Sequence, residues 1–145
     1  MFRVFIGLDT RYTELAHVFE YSIRRNSSVP VHVQFLELSY LRNVYDFNRI
    51  PDPPDKQAST QFAYSRFLVP LLCGYQGIAM FADSDMLCLG DIAELARLDM
   101  TDYAVRVVKH DYNPTATVKM YGAVQSAFPR KNWASLMVMD CAKLR

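Results

Sequence analysis

The chain has 145 residues, of which 51% are hydrophobic and 21% are charged, a balance typical of one soluble domain with a packed core. Its formal net charge of +1 gives no electrostatic reason to expect nucleic acid or a membrane surface as the main partner. No apolar run approaches the roughly 20 residues that a membrane span needs. The apolar stretch at residues 1–7 is too short and too poorly flanked to be a signal peptide.

The first part of the chain predicts a β-α-β unit. Residues 4–8 form a short apolar run that is typical of a buried strand. Asp9, Thr10 and Thr13 then offer helix N-cap chemistry, and apolar residues follow at helical spacing until an Asn-Ser-Ser stretch ends the helix. Residues 31–36 predict a second strand, so we expect a parallel, right-handed crossover between the two strands.

The middle of the chain contains a break, a helix and a strand. Three prolines within residues 48–59 exclude a regular element there. A helix is predicted over residues 60–73, and Gly74 ends it. A third strand over residues 78–82 runs straight into Asp83, which places this acid at the end of a buried strand.

The last part of the chain adds a short helix, capped by Asp91, and two strands over residues 103–108 and 136–139. Residues 109–132 between these strands predict a long loop with short helical pieces. The whole pattern predicts an α/β fold with a Rossmann-like, mostly parallel open sheet flanked by helices. The chain stops soon after its final strand with no closing helix, and we therefore expect it to be the N-terminal part of a longer protein.

The cysteines give an indication of the compartment. Cys73, Cys88 and Cys141 are odd in number, have no metal-ligand spacing, and each stands beside apolar residues. We predict that they are reduced cysteines of the core, as in a cytoplasmic protein.

Two carboxylates follow the third strand in the segment Asp83-Ser84-Asp85. Ligands of open α/β sheets bind beyond the carboxyl ends of the strands, and two acids placed two residues apart can converge on one hard cation. Oxygen ligands suit Mg²⁺ or Mn²⁺, which would neutralise the diphosphate leaving group of a nucleoside diphosphate sugar. The alternative is a solvated turn whose aspartates cap the next segment. The apolar residues on both sides favour the metal site.

The segment around these acids resembles the metal-binding motif of glycosyltransferase family 8. Residues 81–95 have the family's order of an apolar strand, Asp-x-Asp, apolar residues, Asp-Ile and a later Leu. Tyr64 and Arg66 resemble its Tyr-x-Arg helix, and residues 5–9, with Tyr12 following, resemble its nucleotide-binding first strand and loop. The resemblance implies a GT-A-type fold in which residues 1–145 are the nucleotide-sugar-binding part of a single domain.

The resemblance also implies the activity and the residues that serve it. It implies a hexosyltransferase-like enzyme that uses a UDP-sugar donor with Mn²⁺ or Mg²⁺ and retains the anomeric configuration. The implied donor site combines the loop after the first strand, the arginine of the helix and the acidic motif: Leu8, Asp9, Thr10, Tyr12, Arg66, Asp83, Ser84 and Asp85. Of these, Asp83 and Asp85 are the implied metal ligands.

Further residues are implied by position, and one is missing from the pattern. Asn132, Trp133 and Ser135 lie where the family contacts the transferred sugar or the acceptor, although the family's Asn-x-Gly is Trp133-Ala134-Ser135 here. The family's third metal ligand is a His in a later His-x-x-Gly-x-x-Lys segment, and this chain has no such segment.

Arg66 stands out because apolar and aromatic residues surround it on the predicted helix. A buried arginine is rare unless it is paired. The ordinary alternative is an arginine whose stem is buried and whose head group is solvated. We predict instead that Arg66 pairs with Asp83 or with a donor phosphate.

Two other functions stay open at this point. A sugar-phosphate nucleotidyltransferase would need a Gly-rich phosphate loop after the first strand, where only Gly7 is found. A non-catalytic nucleotide-binding fragment would keep the donor site without turnover. The acceptor is unknown, and a final strand without a covering helix predicts self-association through an apolar face.

Overall fold

The computed structural model describes residues 1–44, 60, 62–111 and 133–145. These residues contain one five-stranded sheet. In chain order the strands are β1 (Phe2–Leu8), β2 (Val31–Glu37), β3 (Ile78–Asp83), β4 (Val105–Val107) and β5 (Leu136–Asp140). Their order across the sheet is β2-β1-β3-β5-β4, so β2 and β4 are the edge strands.

The sheet is mixed. β1 pairs in parallel with β2 and with β3, and Gly7 lies opposite Asp83 in the second pairing. β5 pairs antiparallel with both β3 and β4, so in the described sheet four strands share one direction and β5 opposes them. The predicted α/β class and open sheet are confirmed. The sheet is parallel only in its β2-β1-β3 half, because an apolar run such as residues 136–139 carries no information about its direction.

Helices cover the sheet. They are α1 (Thr13–Arg25), α2 (Leu38–Val44), α3 (Val69–Leu72) and α4 (Ala93–Ala96). Three short 3-10 turns accompany them in the described residues, at Ser65–Leu68, Trp133–Ser135 and Cys141–Leu144. No helix among the described residues has the length and apolar character to cross a membrane.

Each face of the sheet carries its own apolar core. Successive side chains of a strand point to opposite faces. Val4 and Ile6 therefore pack with Phe19 of α1, while Phe5 packs on the other face with Val69 of α3. Burying one such side chain contributes about 1.5–3 kcal/mol. Burial on both faces accounts for the nearly unbroken apolar sequence of β1.

The predicted helix over residues 60–73 is wrong in its first part. The described residues instead form the 3-10 turn Ser65–Leu68, followed directly by α3. Pro70 has no N–H to continue a helix, but it fits the first turn of a new one, where it stands in α3. The predicted end is confirmed, since Gly74 has a φ of 61° and follows the last residue of the helix and its cap.

The capping prediction is one residue off for α4 and wrong for α1. The N-cap of α4 is Ile92, which makes no side-chain cap bond, so the predicted cap residue Asp91 stands one position earlier and still binds the first N–H group of the helix. The Asp91 carboxylate accepts hydrogen bonds from the N–H groups of Ala93 (3.0 Å) and Ser28 (2.9 Å). The N-cap of α1 is Tyr12, which makes no side-chain cap bond. Asp9 does not cap the helix, because it is bound to Arg11 in the preceding loop.

Several further expectations have clear outcomes. Cys73 and Cys141 are buried and free, as predicted, whereas Cys88 is only partly buried. Helix α2 was not predicted, although its buried leucines stand three residues apart, at 38 and 41. β4 is shorter than the predicted 103–108. The proline-rich break over residues 48–59 and residues 112–132 of the predicted long loop lie outside the described residues.

Candidate functional site

The candidate site lies at the edge of the sheet where β1 and β3 end. Because the two strands are parallel and in register there, the loop after Leu8 and the bend after Asp83 leave the sheet side by side. β5 runs the other way, and Leu136 at its beginning pairs with Ala82. The Trp133–Ser135 turn, which leads into β5, therefore reaches the same edge.

Asp83, Ser84 and Asp85 differ in how far they reach into solvent. The Asp83 side chain is 24% exposed, Ser84 is buried, and Asp85 is exposed. The buried side chains of β3 hold the first acid in place, whereas the second stands on the bend that follows the strand. The motif therefore presents one fixed and one solvent-facing carboxylate at the sheet edge.

Arg66 lies beneath Asp83 and is only 8% exposed. Its Nη2 lies 3.2 Å from Asp83 Oδ1, so the predicted pairing with this acid is present. Its Nε donates to the carbonyl of Ala63 at 3.0 Å, and its Nη1 donates to the carbonyl of Ala134. The guanidinium carbon lies 4.7 Å from the centre of the Phe81 ring, a cation-π contact.

For both Asp83 and Arg66, the cost of burying the charge exceeds the stabilisation that each gains from the other. Burial raises the pKa of Asp83 to about 6, although the Arg66 charge opposes the rise and Asp85 adds to it. Burial likewise lowers the pKa of Arg66, against the effect of Asp83. Asp83 Oδ1 is buried and accepts no hydrogen bond, so its contact with Arg66 is electrostatic only. A buried acceptor without a hydrogen bond is unfavourable, and a cation or a donor group would relieve it.

The two acids fit a hard divalent cation by their chemistry. Asp83 offers an unsatisfied buried oxygen, and the exposed Asp85 lies two residues further on. Carboxylates of this kind suit Mg²⁺ or Mn²⁺. No cluster of three or more His, Cys, Asp or Glu side chains in the described part of the chain could hold a metal ion. A cation at these two acids would therefore need further oxygen ligands, such as phosphate or water.

Glycine at position 7 lets the arginine segment approach the sheet. A Cβ at Gly7 would collide with the ring of Phe62, which packs directly on the backbone of β1. Phe62 precedes the turn that carries Arg66, and the Arg66 guanidinium lies 5.9 Å from the centre of its ring. This close approach brings Arg66 beneath the ends of β1 and β3.

Arg11, in the loop after β1, was not predicted as a site residue, but it binds the predicted Asp9. Asp9 is buried, and its carboxylate accepts hydrogen bonds from the Arg11 N–H (3.1 Å) and from Arg11 Nε (2.7 Å). Arg11 also lies over the ring of Tyr12, 6.0 Å from its centre. Leu8 is buried and Thr10 is exposed. The acid-x-base spacing of Asp9 and Arg11 was the available signal.

The Trp133–Ser135 turn contacts β3 and the arginine. The Trp133 Nε1 donates to the carbonyl of His110 at 3.1 Å, and Lys109 Nζ lies 5.9 Å from the centre of the indole ring. The next residue, Ala134, is the one whose carbonyl Arg66 binds. Asn132, the third residue predicted here, lies outside the described residues.

Comparison with known proteins places these features in a family context. The model of "Glycosyl transferase family 8" matches residues 33–143. "Protein CDI" of Arabidopsis thaliana is 44% identical over 140 residues, which are 97% of this chain and 53% of that protein. The chain thus spans about half the length of this curated relative.

Two solved structures have a similar fold. The glycosyltransferase GlyE of Streptococcus pneumoniae TIGR4 matches with a TM-score of 0.56 and 13% identity, over 97% of this chain and 34% of that one. Its apo form matches with a TM-score of 0.55 and 15% identity, over the same shares of the two chains. Likeness at this level of identity concerns the fold alone, and it confirms the predicted GT-A-type arrangement.

Proposed function

The chain belongs to glycosyltransferase family 8, and from this premise we propose that it forms the donor-binding part of an enzyme that transfers a sugar from a UDP-sugar. We propose further that Asp83 and Asp85 bind Mn²⁺ or Mg²⁺ and that the transfer retains the anomeric configuration. The observation that carries the proposal is the buried, hydrogen-bond-free Asp83 Oδ1 at the end of β3, with Asp85 beside it.

The residues of this chain would prepare the site in distinct ways. A bound divalent cation supplies positive charge for a diphosphate leaving group. Arg66 holds the Asp83 carboxylate at the sheet edge, and the apolar residues of β3 keep that carboxylate from turning away. The loop from Leu8 to Tyr12, fixed by the Asp9–Arg11 pair, lies next to it and offers Tyr12 as a surface for the nucleobase.

Direct binding tests this proposal. In calorimetry, UDP should bind in the presence of Mn²⁺ or Mg²⁺, and Asp83→Asn or Asp85→Asn should weaken the binding at least tenfold, because each change removes a charged ligand of the cation. Asp102→Asn, which removes an exposed aspartate far along the chain from this motif, is the matched control. Unchanged affinity in both site variants would remove the central claim.

The alternatives differ from this proposal in measurable ways. A non-catalytic nucleotide-binding module would bind UDP with metal but would not hydrolyse or transfer from a UDP-sugar. A sugar-phosphate nucleotidyltransferase is disfavoured, because the chain belongs to family 8. The activity, sugar and acceptor of the whole protein are proposals of the same kind, as are the cytoplasmic location and the self-association expected above.

A further inference from the structure

A single buried guanidinium joins three separate parts of the candidate site. Arg66 Nε binds the carbonyl of Ala63 in its own segment, Nη1 binds the carbonyl of Ala134 in the turn before β5, and Nη2 faces Asp83 at the end of β3. The three nitrogens belong to one rigid plane, whose central carbon lies 4.7 Å from the centre of the Phe81 ring. A movement of the guanidinium at one of these contacts must therefore change the geometry of the other two.

We propose that Arg66 is a positioning residue that couples ligand binding at Asp83 to the geometry of the Trp133–Ser135 turn. The inference rests on the proposed function, because it requires a cation and a diphosphate at the Asp83 carboxylate. It goes further by giving that site a second part, some fifty positions later in the sequence, that responds to occupancy.

The coupling follows from the charge balance at Arg66. In the free protein, Asp83 provides the negative charge that compensates the buried guanidinium. A cation held by the Asp83 carboxylate would reduce this compensation, and a diphosphate bound with it would supply other negative charge near Arg66. The guanidinium gains from turning toward that charge, but Nη1 can turn only by changing its hydrogen bond to Ala134.

A change in the Ala134 hydrogen bond would also affect Trp133 in the same turn. Trp133 is adjacent to Ala134, and its indole N–H is held by the carbonyl of His110. Moving the Ala134 carbonyl therefore displaces the indole relative to His110 and Lys109. Coupling between two sites requires that the ligand interact differently with two arrangements of the linking element. The proposed turning of the Arg66 guanidinium away from Ala134 would supply the second arrangement.

Trp133 is the only tryptophan in the sequence, so its fluorescence reports on this turn alone. The experiment titrates UDP with Mg²⁺, which is not paramagnetic, and follows Trp133 emission and calorimetric binding in the same samples. The wild-type emission should change with the same midpoint as the calorimetric binding. Arg66→Lys retains the positive charge but cannot span the three contacts, so we expect it to bind roughly 5- to 150-fold more weakly and to show no emission change at saturation.

Arg3→Lys is the matched control. Arg3 is also partly buried, donates to the Leu72 carbonyl at 2.7 Å and lies 5.2 Å from the centre of the Phe5 ring. It stands at the opposite end of the sheet, because it pairs with Ala79 where Gly7 pairs with Asp83. Arg3→Lys should keep both the affinity and the emission change. Equal melting temperatures of the two variants would show that the difference is not one of folding.

Each contrary result has its own meaning. Calorimetric binding by the wild type without any change in Trp133 emission would overturn the coupling and leave the proposed function intact. An undiminished emission change in saturated Arg66→Lys would show that the ligand acts on Trp133 without the arginine, and would overturn the role given to it. Failure of the wild type to bind UDP in calorimetry with either Mg²⁺ or Mn²⁺ would overturn both the coupling and the proposed function.

Discussion

Asp83, a proposed metal ligand, has an unfavourable environment in the metal-free protein. At the end of β3 its Oδ1 is buried and accepts no hydrogen bond, and burial raises its pKa to about 6. A raised pKa in the folded state means that the protonated acid is favoured more strongly in the folded protein than in the unfolded chain. The stability that this provides is complete below the ordinary pKa of 3.8 and is lost as the pH rises to about 6.

This sign gives a pH prediction for the metal-free protein. Asp83→Asn resembles the protonated acid at every pH, so the variant should gain stability relative to the wild type as the pH rises from about 4 to about 6, by on the order of 2 kcal/mol. Chemical denaturation of both proteins at several pH values measures the difference. Asp102→Asn corrects for the general loss of one surface charge. A difference that is the same at pH 4 and pH 7 would contradict the prediction.

For single residues, the sequence indicated which residues belong to the candidate site better than it indicated what their side chains contact. The position of Asp83 after an apolar run and the apolar neighbours of Arg66 were enough to predict that Arg66 pairs with Asp83 or with a donor phosphate, and Arg66 Nη2 lies 3.2 Å from Asp83 Oδ1. The role of Arg11 was missed, because a loop arginine has many possible partners and only the folded loop selects Asp9. The two contacts of Arg66 with carbonyl groups were equally out of reach, since every residue has a carbonyl.

At the scale of elements, the approach of one segment to another depends on single residues. The 3-10 turn Ser65–Leu68 is brought to β1 through the Phe62 ring, which occupies the space that a side chain at position 7 would need. The apolar pattern predicted a regular helix here, but Pro70 divides the segment into the 3-10 turn and α3. The apolar pattern thus identified the segment, and a single proline within it decided where the regular helix begins.

Gly7→Ala tests this contact. The added Cβ would overlap the Phe62 ring, and the overpacking should lower the free energy of unfolding by about 1–3 kcal/mol. Gly90→Ala is the control, because nothing lies within 4 Å of the position of its added Cβ. Because Phe62 leads into the Arg66 turn, Gly7→Ala should also weaken Mg²⁺–UDP binding. Equal stability of the two alanine variants would show that the segment yields without strain.

At the scale of the whole molecule, stability should be graded across the sheet. β1 and β3 are hydrogen-bonded on both sides and buried on both faces. β4 is an edge strand of three partly buried residues. We expect amide hydrogen exchange to be slowest in β1 and β3 and fastest in β4, as measured by mass spectrometry or NMR. Exchange in β4 as slow as in β1 would indicate that another surface covers this edge.

The order of strands was recoverable from sequence only in part. The β-α-β unit of β1, α1 and β2 followed from periodicity and the rule of right-handed crossovers. The insertion of β5 between β3 and β4 did not, because the apolar run that forms β5 indicates neither its partner strands nor its direction. The α/β class, the family and the position of the candidate site could thus be predicted from the sequence, whereas the antiparallel half of the sheet could not.

The reversed direction of β5 has a consequence for how such a site can diversify. The residues that follow β1 and β3 in the chain lie at the candidate site. Because β5 is antiparallel, it is the residues that precede β5 that lie there. Substitutions just before Leu136 can therefore reshape one wall of the site while the pairing of β5 with β3 keeps its register. The Asp83 side, by contrast, continues directly from its strand and has less room to vary. If the site acts as proposed, sequence variation should therefore be tolerated more readily in the turn before β5 than at Asp83.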